Sequence, residues 1–260
     1  GIAFTCNKNI PDKTIINHCT YYPLRPKKES RLQRLIYLWG GYKKNKTPWR
    51  VRITQIIKDF KPDVIHFFGI ESQMAYYLLD LKTPCIINIL GILGPCYNAF
   101  FPINMNNYSV LIHNHSFKEL ILNNQIRFDY KTMGIRTIHE KKLLSHCKNL
   151  AGRTEWDRQI VNIFAPQAHY YVINEILRPI FYRSQKWKYQ QRTQIEIVST
   201  ISENTYKGLD LILKTASLMT QLNIPFHWRI MGISPRNKFI HFFEKHYNIT
   251  AQDNGIELFG

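Results

Sequence analysis

The chain has 260 residues, enough for one large domain or two medium ones, and its 45% apolar and 13% aromatic content excludes an intrinsically disordered protein. A net charge of +17 with a pI near 9.7 favours anionic partners such as nucleic acid, a phospholipid surface or a phosphorylated substrate. The five cysteines (Cys6, Cys19, Cys85, Cys96, Cys147) are odd in number and widely spaced, with no CxxC pair or His cluster at ligand spacing, so they point to reduced, mostly buried thiols of a cytoplasmic protein and no metal is expected.

In chain order, 14–22 (TIINHCTYY) predicts a strand, followed by a basic, Pro-bearing loop. The stretch 25–61 holds Lys27, Lys28, Arg31, Arg34, Lys43, Lys44, Lys46, Arg50, Arg52 and Lys58 against only Glu29 and Asp59. It reads either as a solvated face or as a membrane-facing or phosphate-attracting patch on the first domain, leaving the second domain less basic. A helix is expected from Thr47-Pro48, with Thr as N-cap and Pro at the first position, burying Ile53, Ile56, Ile57 and Phe60. Strand VIHFF (64–68) then ends at Gly69, a second helix covers about 71–81, and strand CIINIL (85–90) ends at Gly91. The segment 94–131, rich in Asn and aromatics, shows no clear period. A helix over 138–147 leads into strand NLAG, a helix from Thr154, and strand HYYVIN (169–174).

Between 175 and 193 the composition turns to Arg, Lys, Gln and aromatics with Pro179, which suits an interdomain connection. The pattern then restarts: strand IEIVST (195–200), a helix from Tyr206, strand HWRIMG (227–232), a helix from Pro235, and strand GIELFG. Leu209, Ile212, Leu213, Ala216 and Met219 share one helical face. Apolar strands alternating with amphipathic helices indicate α/β architecture with parallel sheets covered on both faces. The expected domains are 1–175, a linker at 176–193, and 194–260 with about three strands. The start at Gly1 and the stop directly after a strand-like run make a fragment of a longer protein the expectation. No apolar run approaches the ~20 residues of a bilayer-spanning helix.

Ligands of such sheets bind at the carboxyl ends of the strands, which directs attention to Gly69, Gly91, Gly152, Ser199, Thr200 and Gly232. After IEIVST, Lys207-Gly208 opens a helix whose free N–H groups and partial positive charge suit a diphosphate. The alternative is a surface lysine at a helix start, since neither GxxxxGK[ST] nor GxGxxG is present. His66 is read as a core histidine in preference to a catalyst. Glu71 either complements a helix dipole or meets a ligand. In GRTEWDR (152–158), Thr154 and Asp157 form a capping cluster, while Arg153 stands where a phosphate would be met. Asn174 and Glu175 either touch ligand or satisfy backbone groups at the hinge.

KPDVIHFFGIE, AGRTEWDR, YYVINEILRPIFY and YKGLDLILKTASLM, in this order and at these intervals, resemble family 4 glycosyltransferases of the bacterial polysaccharide type. The resemblance spans about residues 15–260 and implies a GT-B fold: two Rossmann-like domains facing a cleft, acceptor on the first and nucleotide-sugar on the second. It implies a retaining, metal-independent sugar transfer needing no cofactor. Lys207-Gly208 matches the family's donor element; with the strand-end reading, Ser199, Thr200 and Arg153 join it at the donor, and Gly69, Glu71, Gly91, Asn174 and Glu175 fall to the cleft or acceptor side. Ser199-Thr200 replaces the family's Gly-Arg pair, and Leu90-Gly91 stands where many members carry His or Asp, so no catalytic side chain is assigned. The family's paired glutamates would lie beyond Gly260, and its Gly-rich loop before Gly1.

The expected partners are a nucleotide-sugar donor and a lipid-linked or saccharide acceptor, at the inner face of an anionic membrane. The competing reading is a non-catalytic basic module on membrane or nucleic acid. Against nucleic acid, the basic stretch has few interleaved aromatics and no recognition motif.

Overall fold

The computed structural model describes residues 1–6, 10–25, 30, 32, 36, 47–71, 74–75, 81–105, 109–110 and 125–260. It divides into two compact units, Gly1–Gly94 with Arg127–Ile176, and Pro95–Ile126 with Leu177–Gly260.

In the first unit, β1 (Ile2–Thr5), β2 (Thr14–Ile16) and β3 (Cys19–Leu24) form a sheet of order β1-β3-β2, with β2 antiparallel to β3. The sequence predicted one strand through 14–22. The structure breaks it at Asn17 and His18, whose φ values of 50° and 62° make a two-residue hairpin turn, a backbone state that Asn and His adopt more readily than most residues. Helix α1 (Thr47–Phe60) lays Ile53 and Ile56 against Tyr22 and Leu24. Its last turn is tied to β3, where the Tyr22 hydroxyl and Lys13 Nζ both donate to Asp59 Oδ2 and hold that carboxyl below its usual range.

A second, all-parallel sheet of order β4-β5-β6-β7 comprises β4 (Ile65–Phe68), β5 (Cys85–Asn88), β6 (Asn149–Gly152) and β7 (His169–Val172). Alternation along β4 turns Ile65 and Phe67 inward and leaves His66 and Phe68 exposed. His66 is therefore not a core histidine. Short α2 (Leu93–Asn98) follows β5, and α3 (Gln125–His146) is far longer than the helix expected at 138–147. Leu143 and Leu144 of α3 join Ile87, Ile89 and Leu150 in the core. Helix α4 (Glu155–Phe164) starts at the predicted N-cap Thr154, with a capping box closed by Asp157.

The second unit begins with the short helix α5 (Pro179–Arg183), followed by β8 (Ile195–Thr200), a 3-10 turn (Thr205–Lys207), α6 (Leu209–Gln221), β9 (Phe226–Met231), α7 (Lys238–Tyr247) and β10 (Ile256–Phe259). The strands pair in parallel in the order β10-β9-β8. Leu213, Ala216, Ile230, Ile240 and Phe243 are essentially dry, and Met105 and Val110 pack into the same core. That packing carries 95–126 into the second unit, whereas the sequence reading placed this segment in the first.

The expectation that both faces of every sheet are apolar and covered fails here. On one face of β9, His227 and Arg229 stand between Glu196 of β8 and Glu257 of β10, with His227 Nε2 at 3.1 Å from Glu257 and Arg229 Nη2 at 3.5 Å from Glu196. Val198 on the same face is exposed. The predicted helix at 71–81 lies largely outside the described residues, and so do Lys27, Lys28, Arg31, Arg34, Lys43, Lys44 and Lys46 of the basic stretch 25–61.

Candidate functional site

Polar groups gather at the carboxyl ends of the first unit's parallel strands. Gly69, at φ +97°, ends β4 and donates its N–H to Asn88 O at 3.0 Å. The Glu71 carboxylate sits between the ends of β4 and β5: a Cβ on Gly69 would lie 3.5 Å from its Oε2, and one on Gly91 only 2.8 Å from its Oε1. Glycine at 91 leaves room for this carboxylate.

Glu140 approaches from α3. It is 2% exposed and accepts from the N–H groups of Leu93 at 2.7 Å and Gly94 at 3.1 Å, so the first turn of α2 already holds a carboxyl group. Burial raises the Glu140 pKa, the two N–H donors oppose that, and the nearby Glu71 charge adds to it. Asn88, fully buried at the end of β5, has no hydrogen-bond partner at either carboxamide atom. An unpaired buried amide is costly, which makes Asn88 a candidate for contact with a ligand or a buried water.

Arg153 follows β6. Its Nη1 pairs with Glu175 Oε2 at 2.8 Å and its Nη2 donates to Leu90 O at 3.2 Å, so the cation bridges the ends of β5 and β7. The backbone N–H groups of Arg153 and Thr154 both donate to Asp157 Oδ2 at 3.0 Å. Gly152 is required by close approach, since a Cβ there would meet the Tyr170 hydroxyl at 2.5 Å and Asp157 Cβ at 2.7 Å. Asn174 is exposed beside Glu175. The structure thus gathers Gly69, Glu71, Gly91, Arg153 and Glu175 at one sheet end.

The other candidates belong to the second unit. The Ser199 hydroxyl accepts from Trp228 Nε1 at 3.0 Å, whereas Thr200 is exposed. Lys207 is exposed, with Nζ at 5.4 Å from the Tyr206 ring centroid, and among the described residues no carboxylate pairs with it. Gly208, at φ +79°, precedes α6 and offers no side-chain cap, which leaves the first N–H groups of the helix open to an anion. Asp210 is buried in the first turn and lies 3.8 Å from Lys214. Thr205 is buried with its hydroxyl unpartnered.

Sequence reasoning passed over Glu140, Asn88 and Thr205. A polar residue inside the apolar run CIINIL marks Asn88, but nothing in the sequence of α3 distinguishes Glu140 from a surface acid.

A cavity of about 380 Å³ opens at the opposite end of the first unit's sheet, among Cys85, Cys147, Lys148 and Asn149. Burial pushes the Cys147 thiol up to about 12 and raises Cys85 as well, so neither supplies a thiolate near neutral pH. Among the described residues no cluster of His, Cys, Asp and Glu could hold a metal ion.

No family model matches the chain, and no curated protein matches it. The solved sucrose-phosphate synthase of Thermosynechococcus elongatus is similar in fold, with a TM-score of 0.53 at 10% identity. That likeness covers 97% of this chain and 57% of the synthase. Medicago truncatula UGT71G1, solved with UDP-glucose, aligns over 92% of this chain and 59% of its own at 11% identity, but its TM-score of 0.37 carries no argument. Together with the parallel sheets, the first likeness gives the fold class expected from the sequence, α/β of the GT-B type.

Proposed function

We propose that the protein is a family-4-type glycosyltransferase that moves a sugar from a nucleotide-sugar to a lipid-linked or saccharide acceptor in cell-surface polysaccharide synthesis. The transfer retains the anomeric configuration and uses no metal. The bond from the anomeric carbon to phosphate oxygen breaks, the acceptor hydroxyl oxygen bonds to that carbon on the same face, and the hydroxyl proton passes to the departing nucleoside diphosphate. The protein works in the cytoplasm, at the inner membrane face.

One observation supports this reading above the rest: the β8–α6 loop presents an exposed lysine, with no carboxylate partner among the described residues, beside an uncapped helix start. An incoming diphosphate meets there a full positive charge, open N–H groups and the helix dipole. Lys207, Gly208 and Thr200 bind the donor diphosphate, while Ser199 is held by Trp228 and shapes the loop. Arg153 contributes less, because Glu175 already neutralises part of its charge. Gly69, Glu71, Gly91, Asn174 and Glu175 frame the acceptor side.

The test is calorimetric titration of the full-length protein with nucleoside diphosphates. Saturable binding, weakened by Lys207→Ala while the fold survives, supports the reading. Binding only to polyanions, with a steep salt dependence and no response to Lys207→Ala, overturns it in favour of a non-catalytic module.

A further inference from the structure

The second unit opens with a segment that its core does not use. Residues 177–192 read LRPIFYRSQKWKYQQR and contain five cations, Arg178, Arg183, Lys186, Lys188 and Arg192, with no acid. The large apolar side chains between them face solvent, from 52% exposure at Phe181 to 82% at Trp187, with Leu177, Ile180 and Tyr189 within that range. Six large apolar or aromatic side chains are thus exposed within sixteen consecutive residues, a concentration of the kind that marks an interaction site.

The segment is nonetheless built. The Leu177 N–H donates to the Tyr182 hydroxyl at 3.2 Å, Lys186 Nζ donates to Phe181 O at 2.9 Å, and the Ser184 N–H closes the short helix onto Ile180 O at 2.9 Å. The Arg178 guanidinium lies 5.7 Å from the Phe181 ring centroid, and the Trp187 and Tyr189 rings meet edge to face at 6.4 Å. Local bonds therefore hold the backbone while the apolar and cationic side chains point outward together.

We infer that residues 177–192 are a docking surface for an anionic lipid bilayer. Indole and phenol rings seat at the headgroup level, where one end is apolar and the other wet. Leu177, Ile180 and Phe181 enter the acyl boundary, and the five cations complement anionic headgroups. A single-stranded nucleic acid would also attract cations and aromatics, but bases stack on ring faces, and Trp187 and Tyr189 stand at 70° to each other instead of forming a platform. Exposed Leu177 and Ile180 add nothing to stacking and much to insertion. The inference deepens the membrane part of the proposed function, because a lipid-linked acceptor lies in such a surface. It places a contact in 177–192.

The test uses the full-length protein with vesicles of phosphatidylcholine alone or mixed with phosphatidylglycerol. Sedimentation is expected only with the anionic vesicles and falls as salt rises. The triple change Arg183→Gln, Lys186→Gln, Lys188→Gln weakens it on the order of a hundredfold, at about fivefold per cation. Ile180→Ser with Phe181→Ser also abolishes quenching of Trp187 by brominated lipid, read as the difference from a Trp187→Phe variant because the chain holds four other tryptophans. Unchanged circular dichroism shows that both variants fold, and unchanged nucleoside diphosphate titration separates this inference from the donor-site reading. Variants that sediment like the parent overturn it. So does a Trp187 already shielded from acrylamide in the full-length protein, which would mean that the chain itself covers the segment. Loss of oligonucleotide binding in the same variants, without any vesicle binding, overturns it in favour of nucleic acid.

Discussion

The carboxyl ends of the parallel strands look different in the two units. In the first, Arg153 is met by Glu175 and Leu90 O and Glu140 by two backbone N–H groups, while Glu71 adds a further acid beside Glu140. In the second, Lys207 stands exposed next to an uncapped helix, and only Ser199 of the candidate residues is tied down. The first arrangement positions loops and attracts no net anion strongly. The second leaves charge and N–H donors open for a ligand that brings its own negative charge. Under the proposed function the two sheet ends receive different guests, the acceptor at the first and the charged diphosphate at the second.

The largest expected difference concerns glycine. A Cβ on Gly232, at the end of β9 with φ +92°, would lie 2.4 Å from the Ile201 carbonyl oxygen, a backbone atom that cannot yield. Gly232→Ala should cost more than about 3 kcal/mol in a denaturant titration. Gly91→Ala meets only the tip of Glu71 at 2.8 Å, and a rotamer change relieves it at under about 1 kcal/mol. Equal costs would mean that the two loops are equally constrained.

Next comes the donor contact. Lys207→Ala should weaken nucleoside diphosphate binding by about 1.5–3 kcal/mol, the value of a charge-assisted contact. Arg153→Ala should weaken it by less than about 1 kcal/mol, because its partly exposed ion pair with Glu175 already occupies it. The reverse order would move the diphosphate to the first unit.

A smaller effect is expected at Asn88. With both carboxamide atoms unpaired and buried, Asn88→Leu should leave stability unchanged or raise it by up to about 1 kcal/mol. A clear loss of stability would reveal a bound water or ligand at that amide.

The smallest effect is the pH dependence at Glu140. Its folded pKa lies above the ordinary value of 4.5, chiefly through burial, so the folded protein holds this proton more tightly than the unfolded chain. Its contribution to stability is therefore greatest below that value and falls as pH rises through the raised folded pKa. Midpoints of denaturant unfolding should show this negative slope in the parent and lack it in Glu140→Gln. An identical slope in both would assign the linkage elsewhere.

Strand and helix order was largely readable, because runs such as IEIVST and the Leu209–Ala216 face carry their period openly. The Thr154–Asp157 cap was readable too, since capping is local chemistry. What escaped is tertiary. Asn17-His18 splits a run that is uniformly β-rich on either side, and only the positive φ pair reveals the turn. Segment 95–126 lacks a period, and its membership in the second unit rests on Met105 and Val110 packing against distant helices. Glu140 lies 46 and 47 positions from the N–H groups it holds, a pairing that no local pattern encodes. The ion ladder of Glu196, His227, Arg229 and Glu257 likewise appears only once three strands are in register.

The most direct test of the donor assignment is amide hydrogen exchange on the full-length protein, with and without a saturating nucleoside diphosphate. The account predicts added protection in the second unit, at residues 200–210 around Lys207 and Gly208, with little change in the first. Protection confined to the first unit, at residues 69–71, 91–94 or 152–157, would contradict it.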